Sequence, residues 1–410
     1  MGEIPFQPLR GIRIVDFTTL AAGPACAKML TDYGAETILL ESESQIAKSA
    51  GSRQSGPPGM SPVNTAYFHN KFNTNKLSLT VDLARPEGKR IARELISISD
   101  VFIANRLPRV LAQFELTYEH LRELRPEIVY LTMPTMGSNA PRSFYSGVSW
   151  GIQAMAGLDA ISGYPDLPPS SPSPFSHPDV SCNPLHAAVA ILAALRHRRR
   201  TGQGQMIELA QYESSICWTG PAILQYTANG SVMERPGNRD AGAAPHDVYR
   251  CRGEDQWCAI AVSSDTQWRA LCQVIGREDA AVEPQYVTLA ARKQHEPELR
   301  GLIEAWCTPR DADEVMLALQ SAGVPCAVLN NADRLLNHDP QLRERRLWTE
   351  TAHPELGTAL VEGWGFKFPG EPQTSRRAPL LGEHNDYVLQ DLIGMSEEEV
   401  NRHLVGDVLR

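Results

Sequence analysis

The sequence predicts an α/β protein in two parts, and three observations carry that expectation: strand-like and helical runs alternate through the first third, the alternation repeats, and the composition changes near residue 235. Ile12-Arg13-Ile14-Val15-Asp16-Phe17 reads as a strand, Pro24 to Tyr33 as a helix and Glu36-Thr37-Ile38-Leu39-Leu40 as a strand, giving a β-α-β unit. The pattern then recurs. Leu77, Leu79, Val81 and Leu83 alternate as in a strand, Pro86 to Ser97 reads as helical, Asp100 to Ala104 as a strand, and Tyr118 to Leu124 leads into the strand-like Ile128-Val129-Tyr130-Leu131. Such alternation implies a largely parallel, Rossmann-like sheet.

The first β-to-α turn, Thr18-Thr19-Leu20-Ala21-Ala22-Gly23-Pro24, has one glycine where a dinucleotide fingerprint needs three, so NAD is disfavoured. Its amides at a helix start suit a phosphate or carbonyl, and a plain turn with Pro24 at the first helical position accounts for it equally well. Seven prolines between Gly163 and Pro184 mark an ordered surface loop or the rim of an active site. Asp179 stands near its end, in Ser176-His177-Pro178-Asp179-Val180-Ser181-Cys182-Asn183-Pro184.

The next stretch, Leu185 to Arg200, has an Asn-Pro start, an Ala/Leu/Ile/Val middle, a basic last turn and Gly202 beyond, so both helix ends carry their signals. An anion before it faces unpaired backbone N–H groups and is expected to stay ionised at neutral pH. On spacing alone, an ordinary loop aspartate or cap is the favoured reading of Asp179; a reactive carboxylate is the other. Met206-Ile207-Glu208-Leu209 then reads as a strand and Tyr212 to Asn229 as one long helix.

After the turn-rich Arg235-Pro236-Gly237-Asn238-Arg239-Asp240-Ala241-Gly242, strands near Val248 to Cys251 and Trp257 to Val262 and helices at Thr266 to Ile275, Glu298 to Cys307 and Ala312 to Ala322 suggest a smaller α+β domain. A further strand near Ala359-Leu360-Val361 and a terminal helix begun by Ser396-Glu397-Glu398-Glu399 complete the chain.

Composition excludes several classes of function. A net charge of -9 argues against nucleic-acid binding, and the four arginines between Arg196 and Arg200 read as a solvated helix end. Hydrophobic residues make up 42% of the chain, but the apolar runs look too short and interrupted to span a bilayer. Met1 to Arg10 shows no export signal, which makes the cytoplasm the expected compartment. Eight cysteines without a CxxC pair suggest neither zinc nor a disulfide framework.

Several segments together resemble the class III coenzyme A transferases over nearly the whole length. They are Pro8 to Asp16 with Ala22-Gly23-Pro24, Asn75-Lys76 with Asp82-Leu83 and Pro86-Glu87-Gly88, Ala190 to Leu195 running into Arg200-Thr201-Gly202-Gln203-Gly204-Gln205, and Ala378 to His384. The resemblance implies a large Rossmann-like domain built from residues 1–230 and 336–410, an inserted α+β domain at 231–335, and two interlocked subunits. Asp179 then becomes the expected catalytic nucleophile, attacking an acyl-CoA thioester and passing through an anhydride and an aspartyl-CoA thioester. Coenzyme A thioester is a substrate, with no metal or prosthetic group required. Thr19, Leu20, Ala22, Lys76, Asn105 and Arg106 are the expected CoA contacts; Asn105-Arg106 matches an Asn-Phe pair of the family. Turns near Gly137 and at Gly237 to Gly242 are candidate covers for the site.

The chain departs from the family in several places. Leu39 and Ser42 replace basic residues, with Lys48 or Arg53 as substitutes, and Ala21 replaces a glutamine of formyl-CoA transferase. The glycine-rich flap has no equivalent at Gly237 to His246, and Ala140 replaces a common glycine. Asp179 is one residue further from its helix than in formyl-CoA transferase, whose ungapped register would select Val180; a loop insertion absorbed at Pro184 accounts for this. Two alternatives follow: a subunit paired with a paralogous active chain in a hetero-oligomer, as for aryl-substituted succinates, or an acyl-CoA racemase, whose histidine position holds Val148. The acceptor acid is not legible, and succinyl-CoA or another dicarboxylic thioester is the expected donor.

Overall fold

In a computed structural model of the 410-residue chain, the residues described are 7–42, 60–139, 141–147, 149–169, 176–363, 365–367 and 375–409. Lys48, Arg53, Ala140 and Val148 lie outside them. The chain divides into two compact units, one of residues 1–158, 173–232 and 343–410, the other of 159–172 and 233–342.

The first unit is built on six parallel strands, β1 (Arg13–Phe17), β2 (Glu36–Glu41), β3 (Leu77–Thr80), β4 (Val101–Ala104), β5 (Val129–Thr132) and β6 (Gln205–Glu208), in the order β3-β2-β1-β4-β5-β6. Buried on both faces, β3, β4 and β5 are apolar or Thr/Ser throughout, as parallel strands covered by helices must be. One face packs on α1 (Ala22–Asp32), whose Cys26, Ala27 and Leu30 meet Ile14, Ile103 and Leu131 in one core. On the other face, α2 (Pro86–Ser97) contributes Ile91, Leu95 and Ile96 to a core that Val388, Val400 and Leu409 complete from the far end of the sequence.

The long helix α3 (Asn183–Thr201) packs on α1 and β5 through Ala187, Ile191, Ala194 and Leu195 and ends at Gly202, whose φ of 75° closes it as anticipated. Of the basic cluster, Arg198 bonds Asp100 at 2.9 Å while Arg196, Arg199 and Arg200 are exposed. With the turn before it, this run of 24 residues, Pro178–Thr201, is long and apolar enough to cross a membrane by length and composition alone, contrary to the sequence expectation; its packing on the sheet is that of a core helix.

The single helix expected over Tyr212 to Asn229 is in fact two. Gln211–Ile216 and α4 (Gly220–Asn229) are separated by a short 3-10 turn, because Pro221 has no N–H to continue the ladder. In the second unit, antiparallel β7 (His246–Arg250), β8 (Trp257–Ala261) and β9 (Cys326–Val328) carry α5 (Asp265–Val274), α6 (Glu296–Cys307) and α7 (Ala312–Ser321) around Trp268, Leu299 and Val315. Strand β9 and the hairpin partner of the anticipated Ala359 strand, Trp348–His353, carried too few residues of clear pattern to be read beforehand.

Candidate active site at the strand switch point

In the sheet order above, the chain reverses direction of growth between β1 and β4, and the turns after these two strands therefore diverge and leave a crevice. Thr19, Leu20 and Ala22 come from the first turn, Asn105 and Arg106 from the second, and all five line one cleft with Asp179. Ala21, Ser149, Ile152 and Gln211 complete much of its wall, and its cavity volume is about 120 Å³.

Two devices fix the rim. Asn105 accepts from the Thr19 N–H at 2.9 Å and donates to the Thr19 carbonyl at 2.8 Å, which staples the two turns together. Leu20 takes a φ of 66°, a left-handed conformation that is costly for a side-chain-bearing residue and turns the strand into α1. Gly23 is required by space: a Cβ there would stand 2.5 Å from the Thr18 side chain.

Asp179 is not in a loop ahead of its helix, as its neighbouring prolines suggested. It lies in a π-helical turn, Pro178–Cys182, that runs directly into α3, and the Asn183 N–H reaches back five residues to the Pro178 carbonyl. A π turn accommodates one residue more than an α turn. An extra residue of the kind expected from the sequence would be wound into the helix here, and no loop stands at Pro184. Val180, the alternative register, is 39% exposed, whereas Asp179 is half-buried in the cleft. The turn is held from below by the Gln153 amide oxygen on the His177 N–H at 3.0 Å and by Ser176 Oγ on the Ser149 carbonyl at 3.1 Å.

The electrostatics of the acid are set by its burial. Burial pushes the Asp179 carboxyl up to about 6, against a hydrogen bond from Ser149 that pulls it down. Desolvation thus outweighs that hydrogen bond, and the carboxylate remains mostly ionised at pH 7 yet poorly solvated. That combination favours nucleophilic attack.

Lys76 is placed elsewhere. Its ammonium is fully buried and spends its three donors on Asp16 Oδ2 at 2.8 Å, the Pro24 carbonyl at 2.9 Å and Asn73 Oδ1 at 2.9 Å. It braces the turn behind the cleft and does not line it. Arg106 does line the cleft, with its guanidinium 5.1 Å from the Phe17 ring centroid; burial pushes it down to about 10, with Asp16 acting the other way. The Gly237 to Gly242 turn belongs to the second unit.

Sequence reasoning gave no role to Ser149 or Gln211. Ser149 opens a short helix and carries no spacing signal, but Gln211 follows the carboxyl end of β6, where ligands of parallel sheets gather, and its position alone was a clue. Among the described residues no cluster of histidine, cysteine or acidic side chains is arranged to hold a metal.

The chain is 29% identical over 410 residues to the succinyl-CoA–D-citramalate CoA-transferase of Chloroflexus aurantiacus, covering 97% of each protein. It is 29% identical over 403 residues, 98% of each, to the beta subunit of succinyl-CoA–L-malate CoA-transferase from the same organism. Its fold is similar to the crystal structure of a CAIB/BAIF family protein from Brucella suis, with a TM-score of 0.84 and 26% identity over 94% of this chain and 99% of that one. The family model for CoA-transferase family III matches residues 9–385. With a match of that extent and an acid-bearing cleft at the switch point of the sheet, the chain belongs to CoA-transferase family III.

Proposed function

We propose that this enzyme moves CoA from an acyl-CoA to a carboxylic acid with Asp179 as covalent nucleophile. The observation that carries the reading is the half-buried, poorly solvated Asp179 carboxyl in the same cleft as the β1 and β4 turns. The carboxylate attacks the thioester carbonyl, the C–S bond breaks, and CoA leaves as thiolate with Asp179 in a mixed anhydride. The thiolate then attacks the aspartyl carbonyl, which releases the donor acid and leaves an aspartyl-CoA thioester. The acceptor carboxylate repeats these two steps in reverse and regenerates Asp179. One thioester is exchanged for another, so the steps need no added energy source.

Thr19, Leu20, Ala22 and Asn105 seat the CoA arm, and Arg106 supplies the cation of the cleft. The first-turn amides of α1, whose Ala21 cap offers no side-chain acceptor, are the donors for the developing oxyanions. The names of the two Chloroflexus relatives point to succinyl-CoA or another dicarboxylic donor. Incubation with acyl-CoA and hydroxylamine, followed by peptide mass mapping, should place a hydroxamate on Asp179; an unmodified Asp179 in an enzyme turning over would end this reading.

A second copy of the chain is proposed to cover the apolar surface that α3 and α4 leave open. No α4 side chain is buried, with Leu224 at 68% and Tyr226 at 58% exposure, and Val189 of α3 is 65% exposed. Light scattering on the purified chain should report a dimer. The relative named as a beta subunit favours one alternative, a paralogous partner, in which activity appears only when that second chain is added. The racemase reading is weaker, since no histidine is among the described residues lining the cleft to remove an α-proton.

A further inference from the structure

The cleft contains two side chains of opposite charge, and only one of them is provided for. Arg106 has no ion-pair partner among the described residues, and its buried Nε has no hydrogen-bond acceptor. The acid whose field reaches it, Asp16, is already committed: Oδ2 accepts from Lys76 at 2.8 Å, and Oδ1 accepts from the Thr18 N–H at 3.1 Å and hydroxyl at 2.5 Å. The Phe17 ring offers its face but no lone pair. A partly dehydrated guanidinium short of acceptors costs free energy that a bound anion would recover.

We propose that Arg106 receives a second carboxylate carried by the acyl group, so that it selects dicarboxylic over monocarboxylic substrates. The inference rests on Asp179 being the acylated residue. Position supports it, because Arg106 comes from the turn after β4 and Asp179 from the turn before α3, and both line the one cleft. Size supports it as well. A cavity of about 120 Å³ has room for a short acyl chain.

Charge gives the third argument. Before reaction the described lining holds one negative and one positive side chain, Asp179 and Arg106, and an anionic acyl group approaching Asp179 alone would be repelled. Once Asp179 is held in the mixed anhydride or the aspartyl-CoA thioester it is neutral, and the described lining of the cleft is left with the positive Arg106. A carboxylate on the substrate restores the balance, and the planar fork of a guanidinium suits it in bidentate fashion, as a lysine would not.

The test compares kcat/KM for succinyl- and glutaryl-CoA with that for propionyl- and butyryl-CoA, in the wild-type enzyme and in Arg106→Gln and Arg106→Lys. Hydroxylamine trapping at Asp179 runs alongside with each donor. The expected result is a wild-type preference for the dicarboxylic thioesters that falls on the order of 10- to 100-fold in Arg106→Gln and is only partly restored by lysine. An equal loss on both classes would reassign Arg106 to the CoA moiety, and an unchanged preference would make it a wall residue; either result overturns the proposal. Wild-type trapping that is equally efficient with both classes sinks the selectivity and leaves Asp179 standing as nucleophile. Turnover without trapping by any donor sinks the nucleophile, and this proposal with it.

Discussion

In the first unit, Asp16 with Lys76 and Asp179 with Arg106 combine the same kinds of charge and have opposite characters. Behind the β1 turn, Asp16 and Lys76 are both fully buried, in contact at 2.8 Å, and every ammonium donor has an acceptor. In the cleft, Asp179 and Arg106 share a cavity without pairing, one carboxyl raised by burial and one guanidinium short of partners. Charges saturated by their own protein have only a structural effect. Charges left unsaturated are available to something that arrives from solution. The expected role of Lys76 as a CoA contact and its observed position differ for this reason, since a motif match identifies the residue type but not how many of its donors are already used.

Substitution separates the two sites. Asp179→Asn should lower transferase turnover by at least ~10³-fold while leaving the circular dichroism spectrum and elution volume unchanged, because it removes an attacking oxygen and no packing. Lys76→Met should act the other way round. It leaves Asp16 charged and uncompensated in the core and is expected to cost about 3–5 kcal/mol in urea denaturation, part of which a second change, Asp16→Asn, should return.

A third comparison concerns pH. The Asp179 carboxyl takes up its proton near pH 6 in the folded chain and near ~3.9 when unfolded, so between these values the folded form holds more protons and stability falls as pH rises. Asp179→Asn should therefore be more stable than wild type at pH 7, with the gain gone below about pH 4, as read from urea midpoints across the range. Wild-type kcat/KM should show an acidic limb near pH 6. The smallest effect expected is that of Ser149→Ala, which removes the one hydrogen bond opposing desolvation and should move that limb upward by less than about one pH unit.

Much of the fold was legible because its signals are local. The apolar β2, β4 and β5, the Gly202 end of α3, and the capping box of Ser396 and Glu399 each declare themselves within a few residues, whereas Asn183 caps nothing because helical winding already runs through it. Part of the motif pattern also has a spatial cause: at Gly88 a Cβ would stand 2.0 Å from the Asp82 carbonyl, and at Gly204 2.2 Å from that of Ile128. What was not legible depends on residues distant in sequence. The contact of Ser149 with Asp179 spans thirty positions, the saturation of Lys76 requires Asp16 and Pro24 to be brought beside it, and the raised Asp179 carboxyl reflects how much wall surrounds it. Even the short β9 acquires its identity only by pairing with β8.

The turn at Pro178–Cys182 has a consequence for how such chains diverge. One surplus residue in a helical turn rotates everything before it by about 100° relative to everything after it. The acid can therefore be re-aimed like the scale of a vernier, while Ala187, Ile191 and Leu195 keep their seats against the sheet. Deleting Val180 should wind the segment back to ordinary pitch and swing Asp179 off the mouth with the core untouched. Two relatives differing by one residue here would hold the same sheet and the same helix, and the insertion would decide which side chain faces the incoming thioester.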